Sequence, residues 1–154
     1  MNSKNLKVFI NKITENDLDS WLKMGLKLWP DCESGELSQD LRNILESSNQ
    51  KSFMAKNEEG EAIGFVNVSV RVDYVEGAKK SPTGYLEGIF VEEKYRKNGV
   101  AQALIKAGED WLKQNNCTQI GSDTWLSNID SQKFHEKLGF HEEEKLVHYL
   151  KEIR

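Results

Sequence analysis

Leu86-Glu87-Gly88-Ile89-Phe90-Val91, followed after three residues by Tyr95-Arg96-Lys97-Asn98-Gly99-Val100-Ala101-Gln102-Ala103-Leu104, decides how the rest of this 154-residue chain is read. A mostly apolar strand runs into a polar loop with a glycine, and the loop runs into an amphipathic helix. The first turn of a helix carries backbone N–H groups without intrahelical acceptors, and the helix dipole adds positive potential there. Such a junction suits phosphate oxygens. Gly99 lets the backbone come close to a ligand and Ala101 keeps the next turn slim, although a glycine that merely turns the chain fits the same letters. A dinucleotide fingerprint needs G-x-G-x-x-G and a P-loop needs G-x-x-x-x-G-K-[ST]. Neither pattern occurs in the sequence.

Outward from this junction, the pattern predicts alternating strands and helices. Val100, Ala101, Leu104, Ile105, Gly108, Trp111 and Leu112 place a broad apolar face on a helix from about Asn98 to Gln114. Upstream, a strand is expected over Leu6 to Ile13. Thr14 and Asp17 then supply a capping signal for a helix bearing Leu18, Trp21, Leu22 and Leu28, which Pro30 stops. Leu41, Ile44 and Leu45 predict a second helix from Ser38 to Ser48. Ser52–Lys56 and Ala62–Asp73 flank the turn-rich Asn57–Glu61. Val66, Val68, Val70 and Val72 alternate with Asn67, Ser69, Arg71 and Asp73, which predicts a hairpin with one buried face. Val75 to Thr83 reads as an exposed loop and Tyr85 to Val91 as a strand. Thr118–Asp123 is expected to be a strand, Asn128–Leu138 a helix, and Phe140 onward a final pair of strands. Strands that come alone, as a hairpin and between helices predict a mixed α/β (α+β) domain with antiparallel and parallel pairing, spanning residues 1–154.

Composition limits the partners. Lys plus Arg number 21 against 25 Asp plus Glu, a net charge of −4, so no basic footprint exists for a nucleic-acid backbone. A cationic partner suits the balance better. The chain is 38% hydrophobic, enough for a packed core. Cys32, Cys117 and three scattered histidines fit neither a disulfide framework nor a metal-ligand spacing, so no metal is expected and a reducing, cytoplasmic setting is. The N-terminal residues lack an apolar signal core, and no run of about 18 apolar residues occurs, so no membrane association is expected.

Arg96-x-x-Gly99-x-Ala101, between a strand and a helix, resembles the acyl-CoA pyrophosphate loop of the GNAT N-acetyltransferases. Asn128 and Ser131-Gln132-Lys133-Phe134-His135-Glu136-Lys137-Leu138-Gly139-Phe140 resemble that family's second motif, a helix ending in Leu-Gly-Phe before a strand. Leu28-Trp29-Pro30, Asp73-Tyr74-Val75, Leu86–Val91, Ser122-Asp123-Thr124 and Ser131-Gln132-Lys133 are similar to bacterial aminoglycoside 6'-N-acetyltransferases, from about Trp21 to Tyr149. The resemblance implies a splayed, mixed sheet flanked by helices. It implies direct transfer of acetyl from acetyl-CoA to the 6'-amino group of an aminoglycoside antibiotic, conferring resistance, in a homodimer. Ile89, Phe90 and Val91 would hold the cosubstrate's pantetheine arm. Arg96, Lys97, Asn98, Gly99, Val100, Ala101, Gln102 and Asn128 would form the rest of its site. His135 stands where many members place a tyrosine acid for the leaving thiolate.

The resemblance also implies that Trp29, Tyr74, Glu87, Asp123 and Glu144 contact the amino sugar. Each has a plainer reading: Trp29 as core, Tyr74 as an ordinary aromatic, Glu144 as part of a solvated acidic run, Asp123 as a turn acceptor and Glu87 as the partner of an interior arginine. A carboxylate inside an apolar strand is costly unless it is paired or faces a polar cleft. An ammonium must lose a proton before it can attack a thioester, so Glu87 and Asp123 are the candidate bases, and the sequence does not choose between them. The backbone N–H near Val91 is the expected donor to the oxyanion. An acetyltransferase for polyamines would need similar carboxylates. A regulatory acyl-CoA-binding module would keep Arg96-x-x-Gly99-x-Ala101 without needing Glu87 and Asp123.

Overall fold

The computed structural model describes residues 6–154; Met1–Asn5, which open the N-terminal segment considered above, lie outside it. Among the described residues five strands form one sheet in the order β1-β2-β3-β4-β5: β1 Phe9–Lys12, β2 Gln50–Lys56, β3 Ala62–Arg71, β4 Thr83–Val91 and β5 Ile120–Gly121. The first four are antiparallel, each to the next, and β4 pairs with β5 in parallel. The mixed sheet expected from the sequence is therefore present. Helices α1 Leu18–Leu28 and α2 Ser34–Glu46 cover one face, and α3 Val100–Gln114 covers the other. Helix α4, Ile129–Lys137, follows β5.

Strand parity assigns each side chain to a layer. Val66 and Val68 join Phe53, Ala55, Leu104, Ile105 and Leu112 in the core under α3. Phe65 and Met54 point the other way, into a second core with Trp21, Met24, Leu37 and Leu41. Close approach of α3 depends on small residues: a Cβ at Gly108 would lie 2.9 Å from Val68 Cγ1, and one at Gly84 would lie 2.5 Å from Leu112 Cδ1.

Several boundaries differ from expectation. Ile63 to Ser69 are all buried, so the hairpin has two buried faces rather than one, because α1 and α2 cover the side that alternation alone assigns to solvent. Helix α2 begins four residues early, at Ser34, since the Glu33 carboxylate accepts from the Gly35 and Glu36 N–H groups and caps it. The first strand shrinks to Phe9–Lys12 and the fifth to two residues. The Thr14–Asp17 cap is present, with the Thr14 N–H donating to the Asp17 carboxylate at 2.9 Å. No strand follows Phe140. The stretch 140–154 has neither helix nor ladder, and Leu146, Val147, Tyr149, Leu150 and Ile153 are exposed.

Candidate active site

Two irregularities in β4 open the site. Asn67 pairs with Gly88 and Val68 with Leu86, so Glu87 is an extra residue, a β-bulge. The bulge turns Glu87 and Gly88 toward the same side of the sheet. There a Cβ on Gly88 would lie 2.6 Å from the Trp29 ring, so the glycine is what lets the tryptophan seat against the bulge. Trp29 ends α1 and also packs on Phe65, with ring centroids 5.9 Å apart. The second irregularity is the short contact with β5: only Gly84↔Ile120 and Tyr85↔Gly121 are paired. Among the described residues, Leu86 to Val91 have no strand neighbour on that side, and the sheet splays.

A continuous polar run crosses the floor of this opening. The Glu87 carboxylate accepts from Ser69 Oγ at 2.6 Å, from Arg71 Nε at 3.2 Å and from Arg71 Nη2 at 2.9 and 3.1 Å. The Arg71 guanidinium lies 3.4 Å from the centroid of the Tyr85 ring. The Tyr85 hydroxyl in turn donates to Asp123, at the end of the segment leaving β5. Burial first, and then the hydrogen bond and charge of Asp123, push the Tyr85 hydroxyl well above its ordinary value and keep it protonated. Glu87 and Asp123, separated by 36 positions, thus belong to one network through two residues that the sequence did not single out. Their signal was the polar alternation Asn67, Ser69, Arg71, which reads as a solvent face. On this sheet the face is covered as far as Ser69, which is buried, and only Arg71 reaches its open end.

The α3 end of the opening is built from backbone. Gly99 has φ of +79°, and Lys97 has φ of 64°. A Cβ on Gly99 would meet nothing nearer than 3.8 Å, so the space above the loop is open. No side chain caps α3, and its first turn has no acidic residue, which leaves its N–H groups free for an anion. The positions expected to hold an acyl-CoA pyrophosphate therefore fit one. Val100 is buried, whereas Gln102 is exposed on the first turn. Arg96 does something else as well: its Nε donates to the Val91 carbonyl at 2.8 Å and ties the loop to β4. Asn98 donates to the Tyr95 and Arg96 carbonyls. The Glu92 N–H bonds Ile63 on β3, so strand alternation directs the Val91 N–H to the opposite, open edge. Ile89 and Phe90 line that edge half-buried.

The remaining candidates are dispersed. Tyr74 is 80% exposed in the loop after β3, and Glu144 is exposed in the C-terminal stretch; neither takes part in the hydrogen bonds of the polar run. Asn128 caps α4, its Oδ1 accepting from the Ser131 N–H at 3.0 Å. His135 is fully engaged. Its Nδ1 lies 2.7 Å from the Ser131 carbonyl, which only accepts, so Nδ1 carries a proton, and Nε2 shares a 2.7 Å hydrogen bond with the Ser122 hydroxyl. This bond ties α4 to the residue before Asp123. Cys117 is buried at the foot of α3, as an apolar filler would be.

Residues 13–140 match the acetyltransferase (GNAT) family. The aminoglycoside N(6')-acetyltransferase type 1 of Serratia marcescens is 39% identical over 138 residues, 90% of this chain and 94% of that protein. The crystal structure of the aminoglycoside 6'-N-acetyltransferase AAC(6')-Ih from Acinetobacter baumannii superposes with a TM-score of 0.91 at 38% identity, covering 96% of this chain and all of that one. AAC(6')-Iy, solved in complex with the bisubstrate analogue CoA-S-monomethyl-acetylneamine, gives 0.90 at 37% identity over 96% and 99% of the two chains. A splayed β4, a glycine loop open above α3, and likeness over nearly the full length place this chain in the GNAT acetyltransferase family, among the aminoglycoside 6'-N-acetyltransferases.

Proposed function

We infer that this protein transfers the acetyl group of acetyl-CoA to the 6'-amino group of aminoglycoside antibiotics and so confers resistance to them. The observation that carries this is the meeting, along one open strand edge, of an uncapped helix N-terminus with two carboxylates at the other end. The first suits a pyrophosphate and the second a polycation. Acetyl-CoA supplies the activated acyl group. The loop from Arg96 to Gln102 holds its phosphates, Ile89–Val91 align its pantetheine arm, and Asn128 completes its site.

Trp29 and Tyr74 flank the amino sugar, and Glu87, Asp123 and Glu144 draw its ammonium groups. The 6'-ammonium must become an amine before it attacks, and Glu87 or Asp123 takes that proton directly or through water. The Val91 N–H faces the carbonyl oxygen as it gains charge, where a positioned donor is worth most. The product amide is neutral, so the drug loses a cationic contact with its ribosomal RNA target.

The protein works as a homodimer in the cytoplasm, its chain acting as a single domain. The exposed apolar side chains from Leu146 to Ile153 support the dimer, since a row of this kind is costly in water. Among the described residues no helix is long and apolar enough to cross a membrane. Sedimentation equilibrium should return the mass of two chains. Thiol release from acetyl-CoA, measured against a panel of aminoglycosides and polyamines, tests the activity itself. Turnover with the aminoglycosides is expected; turnover with polyamines alone would replace the substrate class.

A further inference from the structure

Glu87, the carboxylate best placed beside the bulge, is already occupied in the free protein. Its Oε1 receives three hydrogen bonds, from Ser69 Oγ, Arg71 Nε and Arg71 Nη2, and its Oε2 receives one more from Arg71 Nη2. The guanidinium holds Oε1 and shares Oε2, so a substrate ammonium that takes over Oε1 has to displace it. We propose that Arg71 is a specificity-determining residue, an internal cation that competes with the substrate for Glu87 and is displaced when a polycation binds. This rests on the aminoglycoside assignment above.

Three features make the pair exchangeable rather than fixed. The Arg71 and Glu87 side chains are 41% and 31% exposed, and ion pairs this open add little net stability, so separating them costs little. Arg71 has a second seat, because its guanidinium is stacked 3.4 Å from the Tyr85 centroid and stays there when the carboxylate lets go. Glu87 has a second anchor in Ser69 Oγ, which keeps it oriented after the exchange. Arg71 also remains as a positive charge in the cleft. A monoamine gains one contact and meets that repulsion; a ligand with four or five ammonium groups has Asp123 and further acidic groups to offset it. Arg71 thereby selects for highly charged amines.

Arg71→Met removes the charge and keeps the length of the stem, whereas Arg71→Lys keeps the charge. With the wild-type enzyme as reference, the KM for a 6'-amino aminoglycoside should fall several-fold in Arg71→Met, with kcat and the KM for acetyl-CoA little changed. A simple diamine should gain measurable turnover. Arg71→Lys keeps the charge without the fork or the stacking, so its KM for the aminoglycoside should lie between those of the wild type and Arg71→Met. A KM that is unchanged or raised in folded Arg71→Met would overturn the proposal, since Arg71 would then be holding Glu87 in place for the substrate. If Arg71→Met does not fold, the wild-type protein still decides: the Arg71 Nε–H resonance, assigned by its loss in Arg71→Lys, should shift and exchange faster with water at saturating aminoglycoside. An unmoved resonance would overturn the proposal. A wild-type protein inactive on every aminoglycoside would instead overturn the underlying assignment.

Discussion

The two ends of the open β4 edge are built in opposite ways. The loop from Arg96 into α3 presents backbone N–H groups that no side chain among the described residues caps, and its shape comes from positive φ at Lys97 and Gly99. The run Glu87–Arg71–Tyr85–Asp123 consists of side chains from β3, β4 and the segment after β5, and every member is paired with another. A binding site made of free backbone groups is set as soon as the chain turns. One made of paired side chains must exchange partners to bind, which gives it selectivity and makes it sensitive to each substitution.

The most complete loss should come at the backbone end, where binding of the cosubstrate itself disappears. Gly99→Val puts a β-branched side chain at φ +79° and into the open space above the loop. Wild-type protein should gain about 2.7 kcal/mol of stability at acetyl-CoA concentrations of about 100 Kd. The folded variant should show none of this in a thermal-shift assay; an undiminished shift would take the pyrophosphate away from this loop.

At the side-chain end, Asp123→Asn and Glu87→Gln should leave that shift intact and lower turnover of the aminoglycoside. The variant that removes the base should lose roughly 10²- to 10⁴-fold in kcat, and the other should act mainly on KM. Steady-state kinetics on both variants separates the roles. Wild-type kinetics in both would empty this end of function.

Tyr85→Phe should have the smallest effect. It removes the donor to Asp123 and keeps the ring under Arg71, so turnover should change by less than about tenfold. Because the Tyr85 pKa is raised, its contribution to stability is complete below its ordinary value of 10.0 and is lost only as the pH rises through the higher native value. Alkaline unfolding curves of the wild type and Tyr85→Phe should therefore converge as the pH climbs above 10. In a spectrophotometric titration one of the four tyrosines should lag the rest.

The same contrast explains what the sequence made legible. The junction at Arg96–Ala101 is contiguous, so the strand–glycine–helix pattern marked it and the resemblance to the GNAT loop supplied its ligand, and α3 followed from the apolar face that Leu104, Gly108 and Leu112 present. Glu87 and Asp123 stood out as carboxylates at strand positions. Arg71 and Tyr85 did not: whether a polar residue on β3 faces water or a cleft depends on where α1 ends, and alternation carries no record of that. The bulge at Glu87 was equally hidden, because one extra residue shifts parity without changing the letters. The pair of strands expected from Phe140 onward is not formed: Leu146 to Ile153 lie exposed, with no ladder partner among the described residues of the chain.

Regiochemistry tests the central claim most directly. A kanamycin-type substrate with a 6'-amino group and a close analogue with a 6'-hydroxyl both carry several ammonium groups, so the acidic end of the cleft should attract both. Only the amine can form the stable amide. NMR of the purified product should place the acetyl group on the 6' nitrogen, and the hydroxyl analogue should bind yet turn over poorly. Acetyl found on the 3 or 2' nitrogen, or efficient turnover of polyamines with none of aminoglycosides, would contradict the account.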